Sequence, residues 1–168
     1  SGTTNSDTFD ASTSDSLQTG DRVTDASGTD GDVLTATVTG NAAAPTLVNV
    51  ETVNLTGSAL TVGMAFTNVT GTDNVTATTD LVGGTATFTD AAAASVGTIT
   101  SGANVTTLDV TTLAGGTGAA GVSVVGGTDT TAINVTGGAG TDVVSVTTGV
   151  ASTVTLATFV AADTVSVN

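Results

Sequence analysis

The last third of the chain reads GGTGAAGVSVV (115–125), GGTDTTAINVT (126–136), GGAGTDVVSVT (137–147), TGVASTVTLAT (148–158) and FVAADTVSVN (159–168). Cut every 11 residues, these blocks align on Gly-Gly at 115/116, 126/127 and 137/138. They also align on apolar pairs at Val122/Val124, Ile133/Val135 and Val144/Val146. Val154/Leu156 and Val165/Val167 keep the spacing with a one-residue slip. Apolar residues two apart mark one face of a strand, and a fixed period marks a repeat. Each block is therefore a turn followed by a short strand. Working upstream, Leu108/Val110 and the surroundings of Ile99 continue the ladder less regularly. Further strand-like runs lie at Val33–Val38, Leu47–Leu55 and Thr85–Thr89.

Two all-β architectures accept this period. In a parallel β-helix or β-solenoid, each block of roughly 11 residues is one side of a coil, and two or three blocks complete it. In an antiparallel β-sandwich, regular spacing of about 8–12 residues is equally expected. Three features favour the solenoid. The same Gly-Gly turn precedes successive strands. The inward positions are small. The outward positions are Thr, Ser and Asn, which can form hydrogen-bonded ladders between stacked coils.

Composition narrows the chemistry. The 168 residues carry 15 acids, one base (Arg22) and no His, Lys, Cys, Trp or Tyr, for a net charge of -14. Ser–His and Cys–His nucleophile pairs cannot be built. Zinc sites of His or Cys, Schiff-base lysines and P-loops are excluded in the same way. So acidic a chain repels a nucleic-acid backbone, so no nucleic-acid partner is expected. Carboxylate pairs can hydrolyse glycosides, but sugar sites need aromatic platforms and the only aromatics are four Phe, so no enzyme is expected. No apolar run reaches about 18 residues, so no membrane span is expected. Thr alone is about a quarter of the chain, which favours strands around a thin core of Val, Leu, Ile and Ala.

The acids are concentrated at the start. Asp7, Asp10, Asp15, Asp21, Asp25, Asp30 and Asp32 all precede residue 33. This divides the chain into an acidic, Asp/Thr/Gly-rich first segment, 1–32, and a solenoid body, 33–168. Asp21, Asp25, Asp30 and Asp32 lie within a dozen residues among glycines and repel one another unless a cation screens them. Loop carboxylates and carbonyls supply the six to eight oxygens that Ca²⁺ takes in flexible geometry. A second candidate is Gly137-Gly138-Ala139-Gly140-Thr141-Asp142-Val143-Val144-Ser145, which fits G-G-x-G-x-D-x-U-x, the calcium-binding nonapeptide of RTX β-rolls. Gly138 and Gly140 let the turn curl, and Asp142 adds a hard anionic oxygen. One such turn supplies half a shell, and Gly126-Gly127-Thr128-Asp129 is the candidate neighbour, with Asp129 as its ligand.

Two stretches carry a resemblance. Thr3-Thr4-Asn5-Ser6-Asp7-Thr8-Phe9-Asp10 resembles the G-T-x-G-N-D-T-F opening of RTX-related surface proteins. Leu47-Val48-Asn49-Val50-Glu51-Thr52-Val53-Asn54-Leu55 resembles the L-x-N-V-E-x-V-x-L strand pair beside it. Together with the Asp25–Asp32 loop, these are similar to bacterial surface-layer proteins of the Caulobacter type. That resemblance implies calcium-loaded β-solenoid domains tiled outside the cell. It implies calcium positions at Asp7, Asp25, Asp30, Asp32 and Asp142. The chain is far shorter than such a protein and has no recognisable lipopolysaccharide-anchoring domain.

The expected role is thus an extracellular, cell-surface structural protein that binds calcium and assembles with copies of itself into a layer or filament. Cell-surface glycans are a further expected partner. The open strand edge at Val165, Val167 and Asn168 is the expected assembly interface. The alternative is a calcium-binding spacer of a large adhesin. A third reading is an ice-binding β-solenoid, suggested by Thr-x-Thr pairs at Thr35/Thr37, Thr76/Thr78, Thr85/Thr87, Thr98/Thr100 and Thr153/Thr155. Their uneven spacing argues against one flat file. Asn-x-Thr at Asn54, Asn68, Asn74, Asn104 and Asn134 fits the glycosylation pattern, but outward strand alternation produces the same sequence.

Overall fold

A computed structural model describes residues 1–40, 43–92, 95–112, 121–138, 140–150, 152–160 and 163–168. Among the described residues sixteen strands follow one another: β1 (Thr8–Ala11), β2 (Arg22–Thr24), β3 (Val33–Val38), β4 (Thr46–Val48), β5 (Thr52–Gly57), β6 (Thr61–Ala65), β7 (Val69–Thr70), β8 (Thr72–Thr79), β9 (Gly84–Ala91), β10 (Val96–Ser101), β11 (Val105–Thr112), β12 (Val122–Val125), β13 (Ala132–Thr136), β14 (Val143–Thr147), β15 (Thr153–Ala157) and β16 (Thr164–Val167). An eight-stranded sheet runs β1-β3-β5-β8-β10-β12-β14-β16. Facing it, a five-stranded sheet runs β15-β13-β11-β9-β6, and a three-stranded sheet, β2-β4-β7, closes the N-terminal coils. Every neighbouring pair of strands is parallel. The chain is therefore a β-solenoid of about seven turns with a repeat near 22 residues, not an antiparallel sandwich. Among the described residues no helix is long and apolar enough to cross a membrane.

The repeat explains the 11-residue blocks. Val122 pairs with Val144, and Ile133 with Val154, so alternate blocks stack while adjacent blocks occupy opposite sheets. Two blocks make one coil. Gly115/Gly116, the first Gly-Gly pair, lies outside the described residues. The acidic residues 1–32 supply the first coil: β1 lies on β3 and β2 on β4, in the same sheets as the body.

Inward side chains form straight columns, because parallel in-register strands place like positions above one another. One column reads Phe9, Leu34, Val53, Val75, Ile99, Val124, Val146, Val167. Across the interior, another reads Met64, Phe88, Val110, Val135, Leu156. Most members are fully buried. Phe66 stacks beside Phe88 with ring centroids 5.7 Å apart, the widest filling in an otherwise thin core.

Outward residues form files too. Thr35, Asn54, Thr76 and Thr100 are successive partners on the eight-stranded sheet, as are Thr37, Thr56 and Thr78. Thr35, Thr76 and Thr100 thus share a file despite their uneven sequence spacing, but the Thr-x-Thr pairs do not make one flat file, as expected, because Thr85/Thr87 and Thr153/Thr155 lie on the five-stranded sheet. Turns of unequal length absorb the differences and leave the strands in register. Within a file the Oγ1 atoms of Thr56 and Thr78 lie 3.2 Å apart. Two corners use Asn in the left-handed region, Asn49 (φ 54) and Asn104 (φ 66). Their side-chain amides donate to the previous coil, at Asp25 O and Thr79 O. Asn is the side chain that best tolerates this conformation apart from Gly.

Candidate metal centre

Three acids occupy one inward column ahead of the first strands of the eight-stranded sheet. Asp7, Asp32 and Glu51 each stand two residues before the core positions Phe9, Leu34 and Val53. Side chains alternate along a strand, so an acid two residues before an inward residue also points inward. Backbone bonds fix the stack: Val33 N–H donates to Asp7 O, and Thr52 N–H to Asp32 O, both at 3.0 Å. Asp25 and Asp30 come from the loop that climbs from β2 to β3. Asp25 is anchored by its own N–H on Val48 O at 2.9 Å. Gly31, at φ +89, turns the chain between Asp30 and Asp32 in a conformation that disfavours other residues.

The five carboxylates form two triads. Oxygens of Asp7, Asp25 and Asp32 lie within 4.8 Å of one another, and so do oxygens of Asp30, Asp32 and Glu51. Asp32 is fully buried, Glu51 is 6% exposed and Asp25 7%. Backbone amides hold one oxygen of several of them. Asp7 N–H donates to Asp32 Oδ1 and Asp32 N–H to Glu51 Oε2, both at 2.7 Å. Ser27 N–H donates to Asp25 Oδ2 at 2.6 Å. The remaining oxygens, Asp25 Oδ1, Asp30 Oδ1 and Oδ2, Asp32 Oδ2 and Glu51 Oε1, are excluded from solvent and have no hydrogen-bond partner.

Such an arrangement is costly when charged. Each unpartnered buried carboxylate oxygen loses hydration without compensation, and like charges a few ångströms apart repel. Burial pushes the Asp32 carboxyl above the ordinary carboxylate range. The neighbouring charges of Asp25, Asp30 and Glu51 act the same way, while the Asp7 amide opposes them. The only Lys or Arg in the chain, Arg22, is exposed. A bound cation would remove both penalties. An all-oxygen set with no His or Cys suits a hard cation such as Ca²⁺ or Mg²⁺ and not a thiophilic metal.

Of the candidates read from sequence, Asp7, Asp25, Asp30 and Asp32 come together. Glu51 was missed. It is the only Glu, and it reads as a residue within the strand-like run Leu47–Leu55, which the structure breaks into β4 and β5 with Glu51 between them, over Asp32. The signal for it was the shared acid-x-apolar pattern of Asp7-Thr8-Phe9, Asp32-Val33-Leu34 and Glu51-Thr52-Val53.

Asp21 is not brought into either triad; its Oδ2 accepts the Gln18 amide at 2.8 Å, closing the turn before β2. Asp129 is exposed and caps a corner, accepting the Asn104 amide at 2.9 Å. The turn of Gly126 and Asp129 leads from the eight-stranded to the five-stranded sheet, whereas that of Gly138, Gly140 and Asp142 leads back. The two Gly-Gly turns therefore lie at opposite edges and cannot complete one shell, because adjacent blocks face different sides of the coil. The neighbour of Asp142 is Asp163, whose Oδ1 accepts the Asp142 amide at 2.9 Å. Gly138 N–H donates to Asp142 Oδ2 at 2.9 Å. At the last rung, Val165 is half-buried, Val167 is exposed, and Asn168 N–H donates to Val146 O at 2.9 Å.

Comparison with protein-family models, with curated proteins and with solved structures finds no match.

Proposed function

We propose that this chain is a non-catalytic structural module: a solenoid rod whose first coils are locked by calcium, working at the cell surface and associating with copies of itself. The observation that carries the reading is the set of five solvent-excluded carboxylate oxygens without partners at Asp25, Asp30, Asp32 and Glu51. Calcium suits them better than Mg²⁺ because the donors are several carboxylates drawn from both a loop and a column, and Ca²⁺ takes many such oxygens in flexible geometry where Mg²⁺ demands a near-ideal octahedron and keeps its waters. A surface location fits because extracellular modules load calcium at about 10⁻⁴–10⁻³ M. Association is supported by the rung of β15 and β16, where Leu156, Val160 and Val167 are 42%, 51% and 49% exposed. A further coil laid on that rung covers them, whether it comes from a second copy or from continuing chain.

Negative-stain electron microscopy of the purified chain tests this reading, first in millimolar calcium and then in chelator. Filaments or sheets that disperse on chelation support it. Particles that stay single in both conditions favour the spacer role. A melting temperature that ignores calcium contradicts the cation lock.

A second reading rests on a different observation. The uncharged Thr/Asn files on the eight-stranded sheet form a regular array, with rungs about 4.8 Å apart. Such an array suits ordered water, and faceted ice crystals grown in the presence of the chain would support ice binding.

A further inference from the structure

Resting on the calcium reading above, we propose that the acidic column takes two divalent ions that share Asp32, an outer one held by Asp7 and Asp25 and an inner one held by Asp30 and Glu51.

Three observations carry this. First, the grouping divides. Among the described residues, the sets of three acids with mutually close oxygens are Asp7/Asp25/Asp32 and Asp30/Asp32/Glu51, with no set mixing the two pairs. Asp32 alone belongs to both, and its two oxygens suffice for a bridge.

Second, the unmet demand divides the same way. Asp25 Oδ1 lacks a partner on one side, and Asp30 Oδ1, Asp30 Oδ2 and Glu51 Oε1 lack one on the other. Asp32 Oδ2 is also without a partner, and Asp32 is the residue common to both triads. Asp25, Asp32 and Glu51 are each more than nine-tenths buried, so solvent does not meet the demand instead. One ion placed in either triad leaves the other triad's oxygens uncompensated. Five ionised carboxylates carry five negative charges. One divalent ion leaves three of them unbalanced in a buried pocket, and two leave one.

Third, the two sites are built from different chain segments. The outer one is roofed by the N-terminal residues. Gly2 N–H donates to Thr24 O at 2.8 Å, and Thr3 N–H and Oγ1 donate to Asp7 Oδ2 at 2.5 and 3.0 Å. A Cβ on Gly2 would collide with Asp25 Oδ1 and stand 2.8 Å from Asp7 Oδ2. The inner site ties the Asp30 loop to the third coil through Glu51. The outer ion therefore clamps the first coil to the second, and the inner ion clamps the second to the third.

Native mass spectrometry of the full chain, stripped with chelator and titrated with calcium chloride, reads the stoichiometry directly. The wild type should take two calcium ions. Asp25→Asn and Gly2→Ala should each take one, Glu51→Gln should take one, and Asp32→Asn none. The retained ion in the single-site variants shows that the centre still folds. One ion in the wild type, lost equally in Asp25→Asn and Glu51→Gln, overturns the two-ion arrangement and leaves the calcium lock standing. Two ions retained in all variants place the binding elsewhere and overturn the arrangement. No ion in the wild type overturns both.

Discussion

The same position in the eight-stranded sheet is filled in opposite ways at the two ends of the rod. In the first three coils it holds Asp7, Asp32 and Glu51; in later coils it holds Val122 and Val144. The strand geometry is shared, so the contrast isolates the side chain. The C-terminal coils close this column with dry hydrophobic contact, which needs nothing from solution. The N-terminal coils close it with carboxylates, several of whose buried oxygens lack partners. On the proposed calcium lock, one end of the rod is stable on its own and the other is conditional. A smaller version of the acidic stack exists near the C-terminus, where the Asp142 amide binds Asp163 Oδ1 as the Asp7 amide binds Asp32 Oδ1. There only two acids meet among the described residues, and both Asp163 oxygens accept backbone amides.

The largest expected effect separates the two ends. Asp32→Asn should remove the calcium stabilisation of the first coils, about 3–4 kcal/mol for each of the two proposed ions when calcium is several hundred-fold above its dissociation constant. In chelator the same variant should match or exceed the wild type, because a buried charge has been removed. Thermal melts in both conditions check this, and a loss that persists in chelator would break the contrast. Next, Ile133→Ala in the dry coils should cost about 2–5 kcal/mol, the usual range for a fully buried aliphatic side chain. That cost should be the same with and without calcium, and urea melts in the two buffers compare it.

A smaller effect is expected at the loop. Gly31→Ala forces a side chain into φ +89, at about 1–2 kcal/mol, and should weaken calcium binding because Asp30 and Asp32 flank it. Calorimetric titration reads the binding loss, and a thermal melt in chelator reads the backbone cost. The smallest effect is that of pH, and its sign should reverse with the ion. Burial holds the folded pKa of Asp32 above the ordinary value, so the metal-free fold binds a proton more readily than the unfolded chain. Stability in chelator should therefore fall as pH rises from the ordinary carboxylate value through the raised one. In calcium, protons compete with the ion, and stability should fall as pH drops through that window. Melting curves across mildly acidic pH in the two buffers test the reversal.

Much of the fold was legible because strand alternation is local. Val122/Val124 and Ile133/Val135 name their inward faces without any partner. What the residues could not state was how many blocks close a coil, since that depends on which turns stack. The expected pairing of the Asp129 and Asp142 turns failed for that reason. The Thr-x-Thr pairs divide between two sheets, as their uneven spacing implied, while loop length hid the shorter file through Thr35, Thr76 and Thr100. At the centre, Asp25, Asp30 and Asp32 were visible as crowded loop acids, and Asp7 through the resemblance of residues 3–10. Glu51 was not visible, because its partner Asp32 is 19 residues away and only the coil brings the two together.

Hydrogen–deuterium exchange of the full chain, followed by peptide mass spectrometry in chelator and in millimolar calcium, puts the conditional end and the self-sufficient end in one experiment. Calcium should slow exchange in residues 1–57, which span the three carboxylate coils, and leave β12 to β16 unchanged. Protection that is uniform along the rod, or absent from the first coils, would show that the acidic column is not where calcium acts.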